Sequence, residues 1–250
     1  MATQVDRIAI FAALQWECRP VLRHLRQVRR ERQAGVAVWR GRTAACEVWL
    51  VKTGMGLARA GAAARVLHDA PRFDLVVSTG CAGALSAEMG AGDLAIASAL
   101  VGDAGERYEA DLIQREHLRR AAMDAGLHCS EGPVLTSPAV LATGAEKRAA
   151  AARGCIAVEM EGVPIAAAAA HAGVPIVSVR AILDPADTEL LHIGKVVDPH
   201  DGKVKPLALA GYLATHPGAL PGLLSMQHMR RAAETSLEGL FAAWFEDRRG

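Results

Sequence analysis

Six short apolar runs, rich in valine and isoleucine and bounded by turn residues, predict the strands of a sheet. They lie at residues 7–14, 46–54, 73–80, 92–102, 156–161 and 174–182. Helical patterns separate several of them, at residues 17–26, 57–70, 115–125 and 162–171. Apolar strands that alternate with helices are typical of a largely parallel sheet covered on both faces. The pattern therefore predicts one α/β domain over residues 1–250, without an internal repeat or a linker.

Two segments lie outside this alternation. The basic run "RQVRRERQ" at residues 26–33 is interpreted as a solvated helix end and loop. From about residue 200 the chain continues as an apolar extension, with a stretch broken by Pro and Gly at 206–224. A helix is predicted after it, and four apolar side chains share one face: Leu237, Leu240, Phe241 and Trp244. That face is expected to pack, whereas residues 206–224 either pack or contact an apolar substrate or a membrane surface.

Composition narrows the class of protein. The formal net charge is +1, so the chain has no field that would attract nucleic acid. Its five cysteines show no C-x-x-C pair, which fits a reducing compartment better than a disulfide framework. The sequence contains no apolar run of membrane-spanning length and no signal peptide pattern. We therefore expect a soluble cytoplasmic protein.

Polar or glycine-rich sequences follow five of the predicted strands. Ligands of open α/β sheets bind in the crevice beyond the carboxyl ends of the strands, so these sequences are expected to share one edge. They are "QWE" at 15–17, "TGMG" at 53–56, "STGCAGA" at 78–84, the pair Glu159 and Glu161, and Asp184.

The sequences at this edge do not favour a dinucleotide site or a nucleophilic cysteine. "KTGMGLARAG" at 52–61 is a poor dinucleotide fingerprint, because Arg59 stands where the third glycine should be and Asp74 opens the next strand. Cys81 could act as a nucleophile, but no histidine is predicted near it, and a small residue lining a pocket is the favoured interpretation. The sequence also lacks metal-ligand spacing, so no cofactor or metal is expected.

The remaining candidates for catalytic groups at this edge are the carboxylates. Glu159 has two interpretations: it binds substrate, or it forms an ion pair with Arg180 that braces two strands. Bracing does not account for Glu17, Glu161 and Asp184 together, because three acids at one edge with few cations repel one another. Such a cluster is typical of proton transfer or of hydroxyl recognition.

At these residues the chain resembles the purine nucleoside phosphorylase and nucleosidase superfamily, especially its methylthioadenosine/S-adenosylhomocysteine nucleosidases. The matching segments are residues 12–17, 52–56, 78–85, 90–98, 157–162 and 174–187, which occur in the family's order. The resemblance implies a three-layer α-β-α sandwich around a twisted mixed central sheet. It also implies a homodimer or a higher homo-oligomer.

The resemblance implies a role for each acid. Asp184 matches the acid that protonates the purine at N7, and Glu161 matches the carboxylate that holds the ribose hydroxyls above Met160. Glu17 matches the base that activates water. Cleavage of an N-glycosidic bond needs a neutralised leaving base, a stabilised oxocarbenium-like sugar and a nucleophile on the opposite face, which these acids would supply. Further substrate contacts are implied at Leu14, Met55, Glu159, Cys81, Ala82, Gly83, Val140 and Leu141.

The sequence departs from the nucleosidases at several positions. Val140 stands where an aromatic ring stacks on adenine, and Cys81 replaces the serine of T-G-S-A-G. The C-terminal part resembles the hopanoid-associated phosphorylases, which implies adenosylhopane, a lipid-linked nucleoside with an apolar 5′ group, as substrate. Glu17 and Ser78 occupy positions where phosphorylases carry arginines, which favours water over phosphate as nucleophile. Phosphorolysis, a small 5′-thioether substrate and a non-catalytic nucleoside sensor are the alternatives.

Overall fold

The computed structural model describes residues 5–70, 72–188, 215 and 220–248. Ten strands in these ranges form one sheet. They are β1 Arg7–Ala12, β2 Arg26–Gln33, β3 Val36–Arg42, β4 Glu47–Lys52, β5 Leu75–Ala84, β6 Leu94–Gly102, β7 Arg107–Glu109, β8 Cys129–Thr136, β9 Ala157–Glu159 and β10 Ile176–Asp184. The helices are α1 Gln15–Leu22, α2 Leu57–Ala64, α3 Val66–Asp69, α4 Leu112–Asp124, α5 Gly144–Ala151, α6 Gly162–Ala172 and α7 Leu220–Asp247.

The sheet is mixed. Its order is β10-β6-β8-β9-β5-β1-β4-β3-β2, with β7 beside β6 and a further pairing of β10 with β5. The parallel pairs include β1–β4, β1–β5 and β5–β10, and the antiparallel pairs include β2–β3, β3–β4 and β6–β10. Because β5 pairs with β1, β9 and β10, its carboxyl end lies at the centre of one sheet edge.

Two hydrophobic cores cover the two faces of the sheet. Alternate residues of β1 point to opposite faces, as the two-residue period of a strand requires: Ile8 and Ile10 belong to one core, and Ala9 and Phe11 to the other. Helices α1, α4 and α7 contribute to the first core, and α2, α3 and α6 to the second. The α-β-α layering expected from the resemblance is therefore present.

Most predicted elements are confirmed within a few residues. The helix expected at the C-terminus is α7, and Leu237, Leu240, Phe241 and Trp244 are fully buried on its packed face. Most of residues 206–224 lie outside the described residues, as does the start of the apolar extension near residue 200. None of the described helices is long and apolar enough to cross a membrane.

The interpretation of residues 26–33 as a helix end and loop is wrong. They form β2, which among the described strands pairs with β3 alone and lies at one end of the sheet. Its arginines at positions 26, 29, 30 and 32 are exposed, so no buried apolar face marked the segment as a strand. The guanidinium of Arg30 lies over the ring of Trp39, 5.4 Å from its centroid. The apolar side chain of this contact therefore belongs to β3 and not to β2.

Candidate active site

Two glycines let carboxylates approach the backbone of β5. A Cβ atom at Gly80 would lie 2.8 Å from Oε1 of Glu17, and one at Gly83 would lie 3.0 Å from Oδ2 of Asp184. Gly80 also has a φ of 138°, a conformation that other residues rarely adopt. The "TGCAG" sequence therefore serves as a surface on which acids from two other elements converge.

Glu17 lies in the first turn of α1 and is 5% exposed. Its Oε2 accepts a hydrogen bond of 2.8 Å from the backbone N–H of Leu14, and its Oε1 accepts one of 2.8 Å from that of Cys81. Burial raises the pKa of Glu17, while these backbone donors and the charge of Arg180 oppose the increase. Glu17 is thus a buried carboxyl group held between β1 and β5, with a raised affinity for a proton.

Glu161 follows β9 and precedes α6. Its Oε1 accepts a 2.7 Å hydrogen bond from the N–H of Gly56, which has a φ of 94° in the turn between β4 and α2. The "TGMG" sequence therefore binds a carboxylate of the protein with its backbone. Burial, and then the neighbouring charge of Glu159, raises the pKa of Glu161 to about 7. This carboxyl group can change its protonation near neutral pH.

Asp184 ends β10 and is 4% exposed. Its Oδ2 accepts a 2.5 Å hydrogen bond from Nζ of Lys147, a side chain that is 1% exposed. Burial raises the pKa of Asp184, and the hydrogen bond and charge of Lys147 act against the increase. Sequence reasoning missed Lys147. The buried residues of the otherwise exposed helix α5 are Gly144, Lys147 and Ala150, which form no apolar stripe that the sequence would reveal.

Glu159 and Arg180 form a buried ion pair of 2.6 Å between Oε2 and Nη2. Glu159 also accepts hydrogen bonds from the Thr136 hydroxyl and from the N–H groups of Glu161 and Gly162. These donors occupy both oxygens of its carboxylate. The contacts therefore favour the bracing interpretation of Glu159 over direct contact with a substrate.

Both terminal nitrogens of Arg180 donate to the protein as well, whereas its buried Nε has no partner among the described residues. Its Nη1 donates to the carbonyl oxygen of Thr79, and its Nη2 donates to the Ser78 hydroxyl, each over 2.6 Å. The side chain is only 1% exposed. Ser78 therefore orients an internal cation and does not face a ligand by itself.

The other predicted contacts line the same edge with different exposure. Ala82 is buried, whereas Leu14, Met55, Cys81 and Met160 are partly exposed. Burial raises the pKa of Cys81 well above its ordinary value, and the negative charge of Glu17 adds to the effect. Its thiol is therefore neutral at physiological pH, which agrees with a residue that lines a pocket.

Val140 and Leu141 lie on the loop between β8 and α5. Val140 is 57% exposed, while Leu141 packs partly against Leu135 and its neighbours. The loop leads directly into the helix that carries Lys147. In the described part of the chain, His, Cys, Asp and Glu form no group of three that could hold a metal ion.

Comparison with known proteins identifies the family of this chain. The model of the phosphorylase superfamily matches residues 7–198, which include Glu17, Glu161 and Asp184. The chain belongs to the phosphorylase superfamily. The superfamily predicted from the sequence is confirmed, and the match ends before α7.

Two curated relatives within this superfamily have names of hydrolytic enzymes. Futalosine hydrolase of Streptomyces coelicolor is 35% identical over 160 residues, 54% of this chain and 66% of its own length. The 5′-methylthioadenosine/S-adenosylhomocysteine nucleosidase of Bacillus thuringiensis is 27% identical over 207 residues, 73% of this chain and 87% of its own.

Solved structures support the superfamily fold. S-adenosylhomocysteine nucleosidase of Streptococcus pyogenes, in complex with 5-methylthiotubericidin, superposes with a TM-score of 0.76 and 22% identity over 99% of each chain. Futalosine hydrolase of Helicobacter pylori superposes with a TM-score of 0.72 and 17% identity, over 94% of this chain and 97% of its own. The predicted fold class is confirmed.

Proposed function

We propose that this protein hydrolyses the N-glycosidic bond of an adenine nucleoside and releases adenine. One observation carries the proposal: three buried carboxyl groups, Glu17, Glu161 and Asp184, lie at one edge of the sheet. Burial raises the pKa of each. Buried acids with raised pKa values are suited to proton transfer near neutral pH. The hydrolytic names of the two relatives support the same reaction class.

Each acid has one task in the proposed mechanism. Asp184 gives a proton to N7 of the purine, and the electron pair of the C1′–N9 bond leaves with the base. Glu161 holds the ribose hydroxyls while positive charge develops on the sugar. Glu17 accepts the proton that water loses as its oxygen bonds to C1′. The sum is one nucleoside and one water converted to free base and free sugar.

The charges around Glu17 support water as nucleophile. A phosphate dianion needs cations or free N–H donors to replace its hydration. Glu17 itself would repel it, and Arg180 donates to Glu159, Ser78 and Thr79. Arg59 is exposed on the outside of α2, where it donates to the carbonyl oxygen of Met55.

An apolar 5′ substituent, as in adenosylhopane, is the finer part of the proposal. The partly exposed side chains of Leu14 and Met55 adjoin the backbone groups that bind Glu17 and Glu161, so they offer apolar surface near the sugar. The resemblance of the C-terminal sequence supports the same substrate. A cytoplasmic location, a homo-oligomer and a peripheral membrane contact belong to this proposal.

A substrate panel tests the reaction and the substituent together. Purified protein is incubated with adenosylhopane, methylthioadenosine, adenosylhomocysteine, futalosine and inosine, with and without phosphate, and free base and sugar product are measured. We expect adenine without phosphate, the free sugar as product, and the highest kcat/KM for adenosylhopane. Strict dependence on phosphate with a sugar 1-phosphate as product would establish phosphorolysis instead.

Binding of a nucleoside without release of base would favour the sensor alternative. Glu17 argues against it, because a protein that only binds has no use for a base on the side of the attacking water.

A further inference from the structure

Lys147 is a buried cation with three protein acceptors. Its ammonium group donates to Oδ2 of Asp184 at 2.5 Å, to the carbonyl oxygen of Pro185 at 2.8 Å and to that of Thr188 at 3.2 Å. An ammonium has three N–H donors, so this set satisfies it. Burial of a cation is costly unless it is paired and hydrogen-bonded. The buried position of Lys147 therefore depends on these three acceptors.

Helix α5 is built to present this side chain. Thr143 caps its first turn by accepting from the N–H of Glu146, and the Glu146 carboxylate accepts in return from the N–H and hydroxyl of Thr143. Lys147 follows on the buried side, whereas Arg148 is exposed and points back to Gly144. Lys147 is therefore the charged residue at the start of α5 that binds Asp184.

We propose that Lys147 is a positioning residue for proton transfer, which holds one oxygen of Asp184 and stabilises the carboxylate that forms when the proton moves to the purine. The inference rests on the proposed function. The proton leaves the second oxygen of Asp184 for N7 of the base, and the three protons of Lys147 stay on its nitrogen. The negative charge left on Asp184 then lies beside a cation, which lowers the energy of the step.

The surroundings of Asp184 give this cation a large influence. Lys147 faces it from α5 and the thiol of Cys81 from β5, and burial keeps that thiol neutral. On the helix of Lys147, the nearest carboxylate is that of Glu146, which is engaged by the cap of α5. Lys147 therefore gives the ionised form of Asp184 its largest stabilisation, and the backbone N–H of Asp184 itself adds a smaller one.

A purely structural role is the competing explanation. The bonds from Lys147 to Pro185 and Thr188 fix the chain that follows β10, so loss of Lys147 could reduce activity by loosening this segment. The position of the pH profile separates the two roles. A loosened segment lowers the rate at every pH, whereas loss of a cation beside a general acid moves the pH at which that acid loses its proton.

The test compares Lys147→Gln, which removes the charge but keeps a donor, with Lys147→Arg, which keeps the charge. The substrate is whichever nucleoside of the panel is cleaved. In the pH profile of kcat/KM, we expect Lys147→Gln to move the basic limb to higher pH by about one pH unit or more. We expect it to lower kcat at neutral pH by on the order of 10². Lys147→Arg should keep the limb in place. Thr143→Ala, which weakens the cap of α5 without touching Asp184, is the structural control and should not move it.

Two results would overturn the inference: an unmoved limb in Lys147→Gln, or a limb that moves in Lys147→Arg. The second variant decides if the first does not fold. Failure of the proposed function has a different signature, because the wild-type protein would then release no base from any nucleoside. In that case the pH dependence of Tm tests the pair without a substrate. The loss of stability with rising pH should extend to higher pH in Lys147→Gln, because Asp184 then holds its proton longer.

Discussion

Glu159 and Glu161 lie two residues apart and are both buried, yet they belong to regions with different electrostatics. Glu159 and Arg180, with Thr136 and Ser78, form a buried brace in which the charges are paired and hydrogen-bonded. Glu161, with Glu17 and Asp184, forms the proposed reactive edge, where burial raises each pKa. Burial alone therefore does not distinguish a structural acid from a reactive one. Glu159 and Glu161 differ instead in their donors, which include the Arg180 guanidinium for Glu159 and the N–H of Gly56 for Glu161.

The largest effect is expected at the reactive edge. Asp184→Asn keeps the shape of the side chain but cannot give a proton to the purine, so kcat should fall by on the order of 10²–10⁴. Base release measures the rate, and circular dichroism with nucleoside binding shows that fold and site persist. A kcat near that of the wild type would remove Asp184 from the role of general acid.

A substitution in the brace is expected to change the stability of the protein. Arg180→Met leaves the carboxylate of Glu159 buried without its cation, which should lower the free energy of unfolding by about 3–5 kcal/mol. Urea denaturation measures it. The matched control is the double variant Arg180→Met with Glu159→Gln, which should recover part of the loss because no unpaired charge remains. A loss below about 1 kcal/mol in the single variant would show that the pair does not brace the strands.

Glu161 gives an effect of opposite sign. Its pKa is raised from 4.5 to about 7, so the native state holds a proton that the unfolded chain loses. Stability from this group is complete below pH 4.5 and is lost as the pH rises to 7. Glu161→Gln should therefore stabilise the protein at pH 8, by up to about 3 kcal/mol, and weaken nucleoside binding.

Thermal unfolding between pH 4 and pH 8 provides the measurement for Glu161→Gln. A pH dependence identical to that of the wild type would show that Glu161 is not the titrating group. Glu159→Gln is the control at the brace, because it removes a paired carboxylate and should destabilise the protein instead.

The smallest expected effect lies outside both regions. Val140→Phe places a ring on an exposed loop position, where the resemblance to the nucleosidases implies an aromatic residue. If the loop borders the base, stacking should lower the KM for adenine nucleosides by roughly 2- to 10-fold, from about 0.5–1.5 kcal/mol. Val140→Leu controls for added apolar surface. An equal change in both variants would exclude stacking.

The elements predicted correctly are those whose burial produces a pattern of apolar residues in the sequence. The apolar runs that became β1, β4, β5, β6 and β10 are buried on both faces, and the face of α7 marked by Leu237 and Phe241 repeats at helical spacing. It also predicted that the acids share one edge, since polar residues that end neighbouring strands have few other places to lie. The roles of the acids stay predictions until they are measured.

The features that were missed depend on partners distant in the chain. Lys147 contacts Asp184 across 37 positions, so no local pattern shows that its ammonium is buried. Strand β2 has no buried face of its own, and its identity as a strand comes from hydrogen bonds to β3. Propensity and periodicity report on local conformation and burial, and neither records a specific pairing.

The arginines of β2 have a consequence for the protein at high concentration. An edge strand presents unpaired backbone groups that a second chain can join, and extension of sheets in this way leads to aggregation. Two copies of β2 brought to strand spacing would place Arg29, Arg30 and Arg32 of one chain beside the arginines of the other. Repulsion between these guanidinium groups opposes such contacts, so the charge on this terminal strand of the described sheet disfavours its growth by pairing with a second chain.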